Sequence, residues 1–213
     1  MKLEEEIENL NKMLIKMADV VESNLKLAIS LYEGFSEEKA SLINDDIVDL
    51  HERLIEEMCM SIMLKERPYA KDMRNVIGIL KLVEDLERLG DHAEDIVTFT
   101  NKLNSCPKHE LKDLNKLIDA SMDMVHTSIE SFIKKDLNMA SETIKKDDVV
   151  DALYDQLVEE IISLDNQHLI DSSFAIYTTL VVKYLERIAD HASNIAEWVI
   201  YILNGYHKDK QIF

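Results

Sequence analysis

Eight carboxylates stand in four pairs with i, i+4 spacing: Asp45 with Asp49, Glu87 with Asp91, Asp147 with Asp151, and Glu186 with Asp190. Residues four apart share one face of a helix, and like charges placed there repel. Such a set becomes tolerable when some members are protonated or a cation binds. Oxygen-only ligand sets suit hard or borderline ions such as Mg²⁺, Ca²⁺, Mn²⁺ and iron. An acidic stripe on one helix is ordinarily just a solvated face, so a single pair decides nothing.

Repetition separates these pairs from a solvated stripe. Leu86 to Ile96, LERLGDHAEDI, aligns with Leu185 to Ile195, LERIADHASNI, and seven of the eleven positions are identical. Asp45-Asp46-Ile47-Val48-Asp49 likewise aligns with Asp147-Asp148-Val149-Val150-Asp151. A merely solvated face has no reason to keep ERxxDHA in both halves while the surrounding surface differs. A metal site is therefore favoured over a solvated stripe. His92 and His191 follow Asp91 and Asp190 and carry ligand nitrogens, but helix packing or support of a ligand suits an isolated histidine better than direct coordination. Arg88 and Arg187 read as braces for neighbouring acids.

These residues need long helices to hold them. The chain has only 4 Gly and 2 Pro in 213 residues. Gly and Pro disfavour helix interiors by about 1 and 3 kcal/mol, whereas strand-rich folds need many turn residues. The breakers fall at Gly34-Phe35-Ser36, Glu66-Arg67-Pro68, Asn104 to Pro107, Lys134 to Asn138, Asp165 to His168, and Gly205. Six long helices follow, over about 2–33, 36–64, 68–103, 108–135, 138–164 and 168–204. Short loops make neighbours antiparallel. The third and sixth helices carry matching seams: Leu82, Leu86, Leu89, Ala93, Ile96, Thr100, Leu103, and Val181, Leu185, Ile188, Ala192, Ile195, Val199, Ile202. The fold expected is all-α, two tandem antiparallel three-helix bundles, over 1–105 and 106–213. On these seams the acidic pairs face away from the core. Measured from the hairpin turns, the two pairs of each half lie within about 5 Å in height at 1.5 Å per residue, so each hairpin gathers four carboxylates.

Composition sets further bounds. Lys+Arg 24 against Asp+Glu 42 gives a net charge of −18. Such a chain repels nucleic-acid backbones and anionic lipid, leaving cations and basic protein surfaces as partners. Cys59 and Cys106 match no disulfide framework and read as free thiols. The acidic N-terminal segment is unlike a signal peptide, and no apolar run reaches bilayer length. A soluble, cytoplasmic protein without direct membrane insertion is expected. No ExxH, HExxH, Walker A, GxSxG or CxxC motif is present. No nucleophile with a base is visible, which argues against an enzyme such as a carboxylate-bridged metal phosphatase.

The two ERxxDHA segments, with Arg67 to Arg74 before the first and Asn194 to Glu197 after the second, resemble the PhoU family of phosphate-uptake regulators over nearly the whole chain. That resemblance implies paired three-helix bundles that bind metal ions, iron or zinc foremost, with Mg or Mn as further candidates. The motifs map onto Asp45, Asp49, Glu87, Asp91, Asp147, Asp151, Glu186 and Asp190. It also implies a cytoplasmic homodimer that restrains the high-affinity phosphate ABC transporter, contacting its ATPase and a sensor histidine kinase. Gly90 becomes Ala189 and Arg74 becomes Ser173 between the halves, so equal metal binding is not implied. A metal-free helical adaptor remains the alternative.

Overall fold

The computed structural model describes residues 2–207 and 210–211. Six rods carry the architecture: α1 (Lys2–Glu33), α3 (Asp45–Lys65), α4 (Ala70–Leu103), α5 (Leu114–Lys134), α7 (Asp147–Asn166) and α8 (Ser172–Asn204), with short helices α2 (Glu37–Ala40) and α6 (Leu137–Lys145) between them. A two-residue ribbon, β1 (Tyr206–His207) with β2 (Lys210–Gln211), follows α8.

The short helices are where the structure departs from a simple six-rod reading. The expected helix over 36–64 divides: Ser36 caps α2 by accepting from Lys39 N, and Leu42 and Ile43 close a tight turn onto Lys39 and Ala40 carbonyls. Burial of Ile43 pulls that turn inward and lets a new helix begin at Asp45. The expected helix over 138–164 divides at Lys146, whose backbone N–H closes the last turn of α6 on Thr143 O, so Asp147 also opens a helix. Asp136 caps α6, accepting from Asn138 and Met139 N. The expected start of α5 near 108 shifts to Leu114; in the preceding segment Lys108 Nζ donates to Glu33 O and the Lys112 backbone N–H to Glu160 Oε1.

Helices α1, α3 and α4 form one antiparallel bundle, and α5, α7 and α8, with α6, form the other. The bundles join through α4 and α8, which run antiparallel along their length. The pairing is visible at three heights: Gly78 against Ile202, Asp85 against His191, and Phe99 against Tyr177. A β-carbon on Gly78 would collide with Ile202 Cγ1, so glycine sets how closely the two helices approach. Every seam residue expected on α4 is buried, as are all on α8 except the half-buried Ile202. Burying each Leu or Ile contributes about 1.5–3 kcal/mol, which dominates over helix propensity in holding the rods together.

Candidate metal centre

On α3, Val48, Ile55, Cys59 and Ile62 face the core. The 100° step of a helix puts Asp45, Asp49, Glu52 and Glu56 on the adjoining flank, toward α4. Glu87 and Asp91 meet them from the middle of α4. Contrary to the outward placement expected from the seam, the Glu87 and Glu186 side chains are only 17% and 14% exposed, since α3 and α7 shield that flank. Asp49, Glu52 and Glu87 each bring a carboxylate oxygen within 4.8 Å of the other two. Among the described residues this is the one group of three His, Cys, Asp or Glu side chains so arranged.

Asp45 completes the set from the first turn of α3. Its Oδ1 is buried and accepts no hydrogen bond. A β-carbon on Gly90 would stand 2.9 Å from that oxygen, so the glycine admits the aspartate. Burial, together with the charges of Asp91, Asp49, Glu94 and Glu87, pushes its carboxyl up to about 7. Glu87 is raised by burial and by Asp91 against the pull of Arg88, and Glu52 by burial, Glu56 and Asp49. Arg88 braces the rim, 2.9 Å from Asp91 Oδ2 and 3.4 Å from Glu87 Oε2. One arginine against this many acids leaves a strong negative excess.

The second hairpin brings together Asp147, Asp151, Glu186 and Asp190. Burial and the charges of Asp190, Asp151, Asp148 and Glu186 push Asp147 up to about 6, and its Oδ1 is also buried without a partner. Asp190 is raised by burial and Asp151, opposed by Lys183, His191 and Arg187. Lys183 stands 2.6 Å from Glu186 Oε2 and 5.0 Å above the Tyr154 ring. Asp151 and Asp190 are exposed.

Glu52 is the residue that sequence reasoning missed. It lies three residues after Asp49 on the same face, a spacing that could have found it. Its counterpart is Tyr154, so a search for duplicated pairs passes over it. A cleft of about 480 Å³, lined by Glu52, Glu84, Asp85, Glu87, Arg88 and His191, opens beside the first set. A larger cleft of about 780 Å³ lies where α1 and α4 end, but its Lys108 and Lys112 are offset by Glu110 and Glu160, and it contains none of the eight carboxylates.

An all-oxygen set with a buried oxygen lacking a partner fits a hard or borderline cation. The first set fits on both counts, with three ligand atoms converged. The second has the lone oxygen but carries its own cation.

Comparison with known proteins gives consistent findings. A family model described as the PhoU domain matches residues 14–100 and again 114–199. The phosphate-specific transport system accessory protein PhoU homolog of Clostridium acetobutylicum is 31% identical over 97% of this chain and 96% of its own. That of Aquifex aeolicus is 36% identical over 96% and 94%. The crystal structure of the phosphate transport system regulatory protein PhoU from Streptococcus pneumoniae superposes with a TM-score of 0.89 at 25% identity, covering 96% of this chain and 98% of that one. PhoU from Pseudomonas aeruginosa matches with a TM-score of 0.89 at 28% identity, over 95% and 99%.

Proposed function

The chain belongs to the PhoU family, and from that premise we propose that it is a metal-binding regulatory accessory protein of phosphate-specific transport. It restrains high-affinity phosphate uptake by contacting the transporter ATPase, and it passes the transporter's state to a sensor histidine kinase. The observation that carries the metal reading is the convergence of Asp49, Glu52 and Glu87 beside the orphaned Asp45 oxygen. Those residues, with Asp91, would hold the ion, iron or zinc first and Mg or Mn as alternatives. Asp147, Asp151, Glu186 and Asp190 form the second candidate set.

When bound, the ion supplies positive charge that the hairpin itself lacks. The protein's part is then mechanical and electrostatic. Neutralised carboxylates let α3 lie closely along α4, and the remaining acidic surface presents to basic partner faces. A homodimer is part of this reading. No helix among the described residues is long and apolar enough to cross a membrane, so contact with a membrane transporter would run through its soluble parts.

Elemental analysis of the purified protein grown with iron and zinc tests the metal reading. We expect at least one ion per chain, with a lower content in Glu87→Gln, and no metal above background would overturn it. Pull-down against the transporter ATPase and the kinase tests the regulatory reading, as does expression of phosphate-responsive genes after deletion. Binding to at least one partner and derepression in high phosphate are expected. Failure of both would leave a metal-free helical adaptor, a reading that the internal cation Lys183 already favours for the second half.

A further inference from the structure

The carboxylate sets leave both histidines of the repeated motif unused. His92 and His191 meet between α4 and α8, with ring centroids 5.4 Å apart and planes inclined at 47°. His92 is 4% exposed and His191 is half-buried. Each Nδ1 is anchored on a carboxylate: His191 on Asp85 Oδ1 at 2.8 Å, and His92 on Asp95 Oδ2 at 3.4 Å. Asn194 holds Asp85 from the other side, donating to the same oxygen at 3.3 Å. A carboxylate on Nδ1 selects the tautomer protonated there and leaves Nε2 with a free lone pair, the arrangement found behind metal-ligating histidines.

The anchors lie in opposite directions along α4. Asp95 is three residues beyond His92, and Asp85 is seven before it. Within an imidazole, Nε2 sits on the edge away from Nδ1. With a carboxylate holding each Nδ1, the Nε2 edges are the ones left for a shared ligand. His92 Nε2 is buried and makes no hydrogen bond. Two imidazoles sharing a tetrahedral ion, each with nitrogen about 2.0–2.1 Å from it, place their centroids about 5 Å apart. The observed separation matches that figure.

We propose that His92 and His191 form a two-nitrogen site for a divalent transition ion of the zinc class, bridging the two repeats. Imidazole prefers such ions to Mg²⁺ or Ca²⁺, so this site selects differently from the carboxylate sets. Asp85 and Asp95 supply two negative charges toward the ion, opposed by the Arg187 guanidinium near His92. His191 also lines the acidic cleft, so its ring is reachable from outside the bundle. Each repeat contributes one ligand, so neither half can build the site alone. The inference does not depend on the carboxylate sets binding metal.

The test uses the full chain carrying Asp49→Asn, Glu87→Gln, Asp151→Asn and Glu186→Gln, near-isosteric changes that remove two carboxylates from each set and relieve repulsion. Zn²⁺ is titrated in competition with a chromogenic chelator, and Cu²⁺ is added for electron paramagnetic resonance. One Zn²⁺ per chain is expected, with affinity lowered at least tenfold by His191→Gln and by His92→Gln. The Cu²⁺ spectrum should show coupling to two nitrogens in the parent and one in His191→Gln. Asp85→Asn, which removes support but no ligand, should weaken Zn²⁺ severalfold. If His92→Gln does not fold, His191→Gln decides the matter, since its half-buried ring can be lost without opening the core. Zn²⁺ affinity unchanged in His191→Gln with a native circular-dichroism spectrum, no Zn²⁺ bound by the parent, or a Cu²⁺ spectrum without nitrogen coupling would each overturn the proposal. The first of these is also the result expected if the two rings share only a proton.

Discussion

The α3–α4 and α7–α8 hairpins begin from the same backbone and the same four carboxylates, and they diverge in what surrounds them. In the first, Glu52, Glu56, Glu84 and Glu94 add further acid around the shared set. In the second, the aligned positions hold Tyr154, Val158, Lys183 and Ser193. Lys183 lies on Glu186 and over Tyr154, adding an ammonium where the first hairpin has Glu84 and only Arg88 to offset its acids. Gly90 admits Asp45 closely, whereas Ala189 stands at the same place in the second half. Duplication thus preserved the scaffold while the halves took different solutions to the same repulsion. The first hairpin keeps a larger excess of acid, and the second offsets part of its own with a lysine.

The largest way to break this contrast is at the ligands. Glu87→Gln should lower metal affinity by about 10–100-fold, as expected for a change at or next to a metal ligand. Glu186→Gln should change total bound metal by much less, both read by isothermal titration with Fe²⁺ or Zn²⁺. Equal losses from the two variants would show that the hairpins are equivalent after all. The reciprocal change, Tyr154→Glu with Lys183→Glu, rebuilds the first hairpin's acids in the second and should add a second bound ion per chain.

Gly90→Ala comes next. Its new methyl would press on Asp45 Oδ1 and on Val48, and such overpacking costs about 1–3 kcal/mol. Urea denaturation should show the loss, along with weaker metal binding. Ala189→Gly, the mirror change, should cost about 1–2 kcal/mol, the helix propensity difference plus one buried methyl. Removing the internal cation is milder still. Lys183→Met should lower stability by about 0.2–1 kcal/mol at low salt, the range of exposed ion pairs, and less at high salt, while making the second hairpin responsive to added Zn²⁺.

A further effect is expected on pH dependence. Asp45 and Asp147 are raised to about 7 and about 6 in the folded chain, above an ordinary aspartate value of about 4. The folded state therefore holds more protons than the unfolded between those limits, and metal-free stability falls as pH rises from about 4 to 7. Metal binding needs these groups ionised, so saturating metal should flatten or reverse the slope over the same window. Thermal melts at pH 5 and pH 8, with metal and with chelator, would show it. In Asp45→Asn the metal-free slope should shrink more than in Asp147→Asn.

Much of the scaffold was legible because its determinants are local. Leu82 to Leu103 and Val181 to Ile202 repeat at the period of a packed helix, and burial follows that period almost residue by residue. Gly34, Pro68, Pro107 and Gly205 fall at breaks, whereas the left-handed turn positions at Arg67, Ala70, Lys135 and His168 are filled without glycine. The breaks before Asp45 and at Lys146 were not legible. The first depends on Ile43 finding a place in the core and the second on local capping, and neither leaves a Gly or Pro behind. Glu52 was hidden for another reason, since the duplicate that points to its neighbours has a tyrosine at that position.

The sequence by itself determined the helices, the twofold repeat and the four i, i+4 carboxylate pairs, because each is a matter of spacing along one chain, and a helix converts spacing directly into a shared face. Only the tertiary structure decided which acids converge, that Glu87 and Glu186 are shielded, that Lys183 occupies the second set, and that His92 faces His191. Those outcomes depend on how α3 seats on α4 and how α8 lies against α4, and side-chain volumes such as those of Gly78, Gly90 and Ile202 set those distances. Electrostatic repulsion and metal ligation both change steeply over an ångström or two, a scale that periodicity does not resolve and packing does.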